Sequence, residues 1–223
     1  MIQALSLAFG QLSDPRIQKV VGISIAIALA VFAVLMVGGW YLIDWLTNLN
    51  GWWADAAHFL GFFAVLIIAW FTFPIVTATT AALFSDQVVD AVVARHYPGA
   101  AMPYKVSIPE MLLDGVKLAL LALVVNVFTL PLLFFPPAYA VIAYGLNGYL
   151  LGREYFEMPA FRRLPRDEAK ALFRRHKGRF VLAGVAIAFL ATIPILNLIA
   201  PVIGIAFMVH MFESVVNLGP RRG

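Results

Sequence analysis

The sequence contains no cysteine, and charged residues make up only 13% of its 223 positions. Without cysteine the chain can form no disulfide, bind no metal through a thiolate and use no cysteine nucleophile. A typical soluble domain is about a quarter charged. The scarcity of charge, together with 62% hydrophobic residues, excludes an ordinary soluble globular protein.

Charge is absent altogether from four long runs. These runs of 24, 30, 35 and 33 residues contain no Asp, Glu, Lys or Arg and cover residues 20–43, 56–85, 118–152 and 180–212. Uncharged apolar runs of this length are typical of membrane segments. The sequence therefore predicts an all-α integral membrane protein with a single membrane domain over residues 1–223. Because the first residues resemble no cleavable signal peptide, we expect the first span to direct insertion.

The distribution of basic residues predicts the orientation. Nine of the sixteen Lys and Arg residues lie in 153–179, whereas none lies in 44–55. The positive-inside rule places the first segment in the cytoplasm and the second outside. Arg16 and Lys19 precede the first apolar run, so we expect both termini, and the basic segment, to be cytoplasmic in a multi-pass protein.

Length decides how each run meets the membrane. The first two runs extend about 36 and about 45 Å as helices, against about 30 Å of hydrocarbon, and can cross. The last two runs are short for a double crossing. A single crossing of the third run would put the basic segment 153–179 outside. We therefore predict two long transmembrane helices plus two partly penetrating helical hairpins, with tight full crossings in a thin membrane as the alternative. The residues expected at the hairpin apices are Pro131, Pro136, Pro137, Pro194, Asn197 and Pro201.

The predicted segments follow the chain in order. They are an interfacial helix (1–15), a first span (16–48), a second span with a cytoplasmic extension (52–97), a first hairpin (108–152), a basic cytoplasmic helix region (153–179) and a second hairpin (180–217).

Three short amphipathic or polar helices are also expected. Residues 1–12 repeat apolar side chains at helical spacing, with Gln3, Ser6, Gly10 and Gln11 on the polar sides. In "SDQVVDAVVARHY" the valines at 88, 89, 92 and 93 share one face, and Asp86, Asp90 and Arg95 are expected in solvent. "LPRDEAKALFRRHKG" predicts a soluble helix that includes Lys177 in its last turn and ends at Gly178.

The basic segment has three interpretations. The favoured one is that it sets the topology and meets anionic lipid. A second is that it gathers anions toward a pore. Binding of nucleic acid is disfavoured, because no recognition motif accompanies the charge.

No pattern in the chain predicts catalysis. The sequence has no nucleophile elbow, P-loop or zincin motif, and its four histidines are scattered, so we expect no enzyme activity, cofactor or metal. His210 and Glu213 lie three residues apart, but two ligands make a hydrogen-bonded pair the preferred interpretation over a metal site. Asn126 and Asn197 lie in the hairpins, where buried amides need partners; contacts between helices are favoured over a role in a permeation pathway.

Three phrases, "LSDPRIQKV", "AYGLNGYLLGREYFEM" and "IPILNLIAPVIGIAFMVHMFE", resemble the CysZ-type sulfate permeases of the group named after the etoposide-induced protein 2.4. The resemblance covers nearly the whole chain in order and spacing. It implies a bacterial inner-membrane protein with two long spans and two partly penetrating hairpins. It also implies sulfate uptake for cysteine synthesis through an anion channel or permease that does not hydrolyse ATP.

The resemblance also implies a sulfate-binding stretch at the start of the first long helix. Family members have a Gly-Leu-Arg-Arg-like stretch there, and this chain has Asp-Pro-Arg-Ile-Gln-Lys at residues 14–19. The predicted anion-binding residues are Arg16, Ile17 and Lys19, with the amides of Arg16 and Ile17 open at the helix N-terminus. Arg153 and Glu154 of the "LLGREY" element join the two asparagines as candidate pathway residues.

Two further expectations concern partners and function. We expect a homo-oligomer, a dimer or larger, because two spans and two half-depth hairpins form a thin wall around a pore. Small residues at which helices can approach closely are Gly61, Ala64, Gly184 and Ala188. The alternative functions are a membrane-embedded interaction or regulatory protein and, least favoured, an intramembrane enzyme.

Overall fold

The computed structural model describes residues 1–47, 51–100, 102–104, 108–129 and 134–216. Within these residues the chain is helical and has no strand, which confirms the all-α class. The helices are α1 Ile2–Gly10, α2 Pro15–Thr47, α3 Trp52–Leu83, α4 Ser85–His96, α5 Ile108–Thr129, α6 Pro136–Arg163, α7 Arg166–Arg175, α8 Lys177–Thr192, α9 Pro194–Asn197 and α10 Ala200–Val216, with a 3-10 turn at Gln11–Ser13 between α1 and α2.

Helix α2 is the element most suited to cross a membrane. Its segment Pro15–Trp45 has a mean hydropathy of 2.9 and is the one helix within the described residues that is long and apolar enough to span. Helix α3 packs along it, and the apolar stretch described on α3, Trp52–Ile68, is shorter. Both helices carry exposed large apolar side chains, such as Val34 on α2 and Phe63 on α3. Many exposed large apolar side chains on one helix pair are typical of contact with lipid or with another protein.

Proline begins helices in both later runs. Pro136 is the first residue of α6, and Pro194 is the first residue of α9. Proline suits the first turn, because its missing N–H would have no intrahelical acceptor there. The predicted interruptions are therefore confirmed at these positions, with Asn197 ending α9, while Pro131 lies outside the described residues. Helices α8 and α10, which pack on each other, have 16 and 17 residues, or about 25 Å each, which is less than the hydrocarbon thickness.

Two predicted boundaries differ from the structure. Helix α6 runs without a break through position 152, where the sequence suggested a change of segment, and it contains Pro159 before ending at Arg163. Gly178 was predicted to end a helix and does not: α7 ends at Arg175, and Lys177 already begins α8. The chain turns at His176, so Gly178 lies within the first turn of the next helix.

Helix α10 forms the core of the molecule. Every residue from 200 to 213 is buried, and α1, α4, α6 and α8 pack around this helix. The predicted valine face of α4 is buried, as expected, while Asp86, Asp90 and Arg95 are exposed. The apolar face of α4 thus docks on α10 and leaves its charges in solvent.

Glycines bring α6 and α8 close together. A Cβ on Gly184 would overlap the carbonyl oxygen of Gly148, and a Cβ on Gly152 would lie 2.5 Å from the carbonyl oxygen of Phe180. On the other helix pair, a Cβ on Gly61 would overlap the side chain of Ile43. Gly61 and Gly184 therefore allow close approach within one chain, so neither serves as an argument for contacts between copies.

Candidate functional site

The start of α2 carries the predicted anion site, and Asp14 caps it. Asp14 Oδ1 accepts a hydrogen bond from the Arg16 amide at 2.9 Å, and the Asp14 carbonyl accepts one from the Gln18 amide at 2.9 Å. Aspartate is a favoured residue at this position, because its carboxylate satisfies an amide that has no intrahelical partner. Ile17 is only 1% exposed. The prediction that the amides of Arg16 and Ile17 are open to an anion therefore does not hold in this structure.

The side chains at the start of α2 remain available. Arg16 and Lys19 are both exposed. Within the described residues no carboxylate lies within salt-bridge distance of either cation. Arg16 and Lys19 therefore place two accessible cations near the N-terminus of α2, where the helix dipole adds positive potential.

A buried glutamine connects this helix start to α4. Gln11 was predicted on a polar side of the first helix, and in the structure it is fully buried. Its Nε2 donates to Asp14 Oδ2 at 3.3 Å, and its Oε1 accepts from His96 Nε2 at 3.0 Å. The amide thus uses both of its ends, as a buried polar group must.

The polar contacts continue to the core helix. The hydroxyl of Tyr97 lies 2.8 Å from Nδ1 of His210 in a hydrogen bond, and the rings of His96 and His210 meet edge to face at 4.9 Å. Burial lowers the pKa of His96 below its usual range, and the positive charge of Arg95 lowers it further. A chain of polar contacts therefore runs from α10 through α4 to the start of α2.

Two arginines of the basic segment join different helices of the fold. Arg162 Nη2 donates to Asp90 Oδ1 at 2.7 Å, and Arg162 Nη1 lies 3.5 Å from Asp86 Oδ1. Arg163 Nη1 lies 3.5 Å from Oε1 of Glu213, a carboxylate that is 1% exposed. These contacts join the end of α6 to α4 and α10, so part of this basic charge has a structural role.

Arg153 and Glu154 lie about two and a half turns before Arg162 on α6. Arg153 Nε donates to Glu157 Oε1 at 2.8 Å. Burial raises the pKa of Glu154, and the nearby Glu157 carboxylate raises it further. Within the described residues no hydrogen bond or ion pair joins this group to Arg16 or Lys19, so the structure does not bring the two predicted sites together.

A cleft of about 230 Å³ opens between α6 and α7. Its charged lining residues are Arg153, Glu157, Lys170 and Arg174. Its aromatic lining residues are Tyr149, Phe156, Phe161 and Phe173. The sequence located its cations in the basic segment, but only the fold brings those of α6 and α7 to one cleft.

The two asparagines take separate positions. Asn197 ends α9 and is half-buried. Its backbone N–H donates a hydrogen bond to the Ile193 carbonyl at 2.7 Å. Asn126 lies on α5, but its side chain lies outside the described residues. Neither observation decides between a helix contact and a pathway role.

The described residues form a bundle of helices that includes one helix long and apolar enough to cross a membrane. The chain belongs to the family described as Sulfate transporter CysZ/Etoposide-induced protein 2.4, which it matches over residues 4–201. This confirms the resemblance found in the sequence, and the family is a transporter family rather than an enzyme family. No curated protein and no solved structure was found to match the chain.

Sequence reasoning missed the polar chain through Gln11, His96, Tyr97 and His210. Gln11 and His96 are 85 residues apart, and Tyr97 and His210 are 113 residues apart. No local spacing in the sequence therefore relates the partners. Gln11 also falls on a polar side of its own helix pattern, which points to solvent rather than to a buried partner.

Proposed function

We propose that this chain is a sulfate permease of the bacterial inner membrane, which admits the oxyanion down its gradient without ATP hydrolysis and supplies cysteine synthesis. Family membership over residues 4–201 supports transport. The observation that carries the proposal is the exposure of Arg16 and Lys19 in the first turns of the long apolar helix α2. Arginine binds sulfate oxygens through a planar fork, and lysine adds a point charge. Because Asp14 occupies the Arg16 amide, the contacts to sulfate come from the side chains.

The proposed membrane arrangement follows the distribution of charge. Both termini and the basic segment 153–179 lie in the cytoplasm, α2 and α3 cross, and the two hairpins enter partway. Anionic lipid contacts the basic segment 153–179. Arg153 and Glu154, with Asn126 and Asn197, are the proposed pathway residues.

The proposed assembly is a homo-oligomer. The exposed apolar faces of α2, α3 and α5 leave room for a second copy as well as for lipid, and one chain alone cannot enclose a water-filled path with much wall thickness. Cross-linking in native membranes is expected to give dimers or larger species. A result of monomers alone contradicts this part of the proposal.

Sulfate flux into liposomes tests the function. The double variant Arg16→Gln, Lys19→Gln removes both cations and is expected to weaken half-saturation by sulfate about ten- to a hundredfold, since a charge-assisted contact contributes roughly 1.5–3 kcal/mol. Asp14→Asn keeps a good helix cap but removes a negative charge beside the site. It is expected to strengthen sulfate binding by up to about fivefold, because surface charge pairs contribute roughly 0.2–1 kcal/mol.

A matched control separates the site from general charge. Arg95→Gln, Arg175→Gln removes two exposed arginines elsewhere and is expected to leave flux unchanged. Unchanged flux in the Arg16→Gln, Lys19→Gln variant, with normal insertion, removes this site from the mechanism. If liposomes with the wild-type protein take up sulfate no faster than empty liposomes, the result supports the alternative, a membrane-embedded regulatory protein without transport activity.

A further inference from the structure

The cleft between α6 and α7 holds more positive charge than its own carboxylate neutralises. Glu157 is already bonded to Arg153 at 2.8 Å. Lys170 and Arg174 line the same cleft, and within the part of the chain that the structure describes neither has a carboxylate within 4.0 Å. The cleft therefore contains three cations and one carboxylate, and two of its cations have no ion-pair partner there.

The helix geometry places these charges opposite each other. Lys170 and Arg174 are four residues apart on α7 and so share one face of that helix. Arg153 and Glu157 have the same spacing on α6. The two charged rows both line the cleft, so an anion between them contacts cations from two helices.

Packed aromatic rings form the apolar part of the cleft and hold its walls. The ring of Phe156 lies 5.2 Å from that of Phe173 and 4.4 Å from that of Phe180, so α6, α7 and α8 are joined beneath the charges. Low-dielectric walls around charges of one sign focus the electric field and raise the local concentration of counter-ions. The cations therefore lie on a fixed apolar support, while Lys170 and Arg174 remain accessible to solvent.

We propose that this cleft is a second oxyanion site, which binds a small tetrahedral phosphate or sulfate group between α6 and α7. Arg174 offers a planar fork to two oxygens, and Lys170 offers a point charge. The volume of about 230 Å³ is below the roughly 300–1,000 Å³ typical of pockets for larger organic ligands. The group that fits is therefore a free oxyanion or the phosphate of an anionic lipid. The site does not depend on transport, since equilibrium binding is measurable in a protein without flux.

Calorimetric titration of the purified full-length protein with phosphate and with sulfate, at constant ionic strength, tests the site. The titrations use the Arg16→Gln, Lys19→Gln background, so that binding at the start of α2 does not contribute. Adding Lys170→Gln and Arg174→Gln is expected to weaken binding about ten- to a hundredfold. Adding Arg95→Gln and Arg175→Gln, which removes the same charge outside the cleft, is expected to leave binding unchanged.

A gain of affinity gives an independent check. Glu157→Gln removes the one carboxylate of the cleft and frees Arg153, so phosphate is expected to bind several-fold more tightly. This variant keeps the test decisive even if the Lys170→Gln, Arg174→Gln protein fails to fold. Unchanged or weaker binding in Glu157→Gln overturns the proposal, as does equal loss of binding in the cleft variant and its charge-matched control.

Nanodiscs with and without phosphatidylglycerol identify the source of the oxyanion. If phosphatidylglycerol competes with phosphate in the parent protein, and Lys170→Gln, Arg174→Gln abolishes this competition, the occupant in the membrane is a lipid headgroup. If phosphatidylglycerol leaves phosphate binding unchanged, the occupant is a free oxyanion. Both results support a site in the cleft, whereas absence of phosphate and sulfate binding from the background protein, in detergent and in nanodiscs, overturns it.

Discussion

At the scale of single residues, the cap of α2 is held from outside its own helix. Asp14 accepts from the Arg16 amide through Oδ1 and from Gln11 through Oδ2. Gln11 in turn accepts from His96 on α4. The orientation of the carboxylate beside the proposed sulfate site therefore depends on a histidine 82 positions further along the chain.

His96 gives this connection a pH dependence. Its pKa is lowered in the folded protein, so below about 6.5, the ordinary histidine pKa, the unfolded chain binds a proton more readily than the folded one. Stability is then lost as pH falls through that value, and above it the group contributes no slope. His96→Gln is expected to flatten the fall in unfolding temperature between about pH 7 and about pH 5, as measured by thermal unfolding in detergent.

The control for this slope is another histidine. His176→Gln removes a residue in the link between α7 and α8, outside the polar chain. In the His176→Gln background, His96→Gln is expected to flatten the pH dependence of the unfolding temperature as much as it does in the wild-type protein. An identical pH slope in wild type and His96→Gln contradicts a perturbed histidine at position 96.

At the scale of elements, local signals predicted the starts of helices and the buried face of α4. Pro136 and Pro194 begin helices because the missing N–H is tolerated only in a first turn, and this rule needs no tertiary information. The same rule fails at Pro159, which lies inside α6. Phe156 and Ala160 around it are 1% and 0% exposed, so tertiary packing keeps the helix intact. Local propensity cannot supply that packing.

The glycines of α6 and α8 show the same limit. Gly184 was recognised as a site of close approach, but the sequence could not say that its partners are Gly148 and Gly152 of the same chain. Gly184→Ala places a methyl group against backbone that cannot move aside as a side chain can. The free energy of unfolding is expected to fall by about 1–3 kcal/mol, the usual cost of overpacking.

Gly145→Ala is the matched control for this interface. Gly145 also lies on α6, but a Cβ there meets no atom within 4 Å, so stability is expected to hold or to rise slightly through better helix propensity. The measurement is the unfolding midpoint in detergent for both variants. Equal midpoints for the two alanine variants contradict the close packing of α6 on α8.

At the scale of the whole molecule, hydropathy predicted the protein class but not what covers each apolar run. Helix α10 is buried among other helices along nearly its whole length, whereas α2 exposes many large apolar side chains. A run that is apolar on all sides fits either a protein core or lipid. The run at 180–212 was predicted as a membrane hairpin, and the structure adds that its second arm forms the centre of the fold.

The orientation across the membrane is the prediction that tests this arrangement most directly. The native chain has no cysteine, so a single cysteine gives an unambiguous label. Asn50→Cys, which lies outside the described residues, is expected to react with a membrane-impermeant maleimide from outside the cell, because its loop carries no basic residue. Lys170→Cys, on the exposed face of α7, is expected to react only after the membrane is opened, because nine cations hold its segment in the cytoplasm. Labelling of both sites from one side contradicts the two-span arrangement, in which α3 crosses once between them and the first hairpin does not cross. Labelling of each site from both sides instead means that the protein inserts in two orientations.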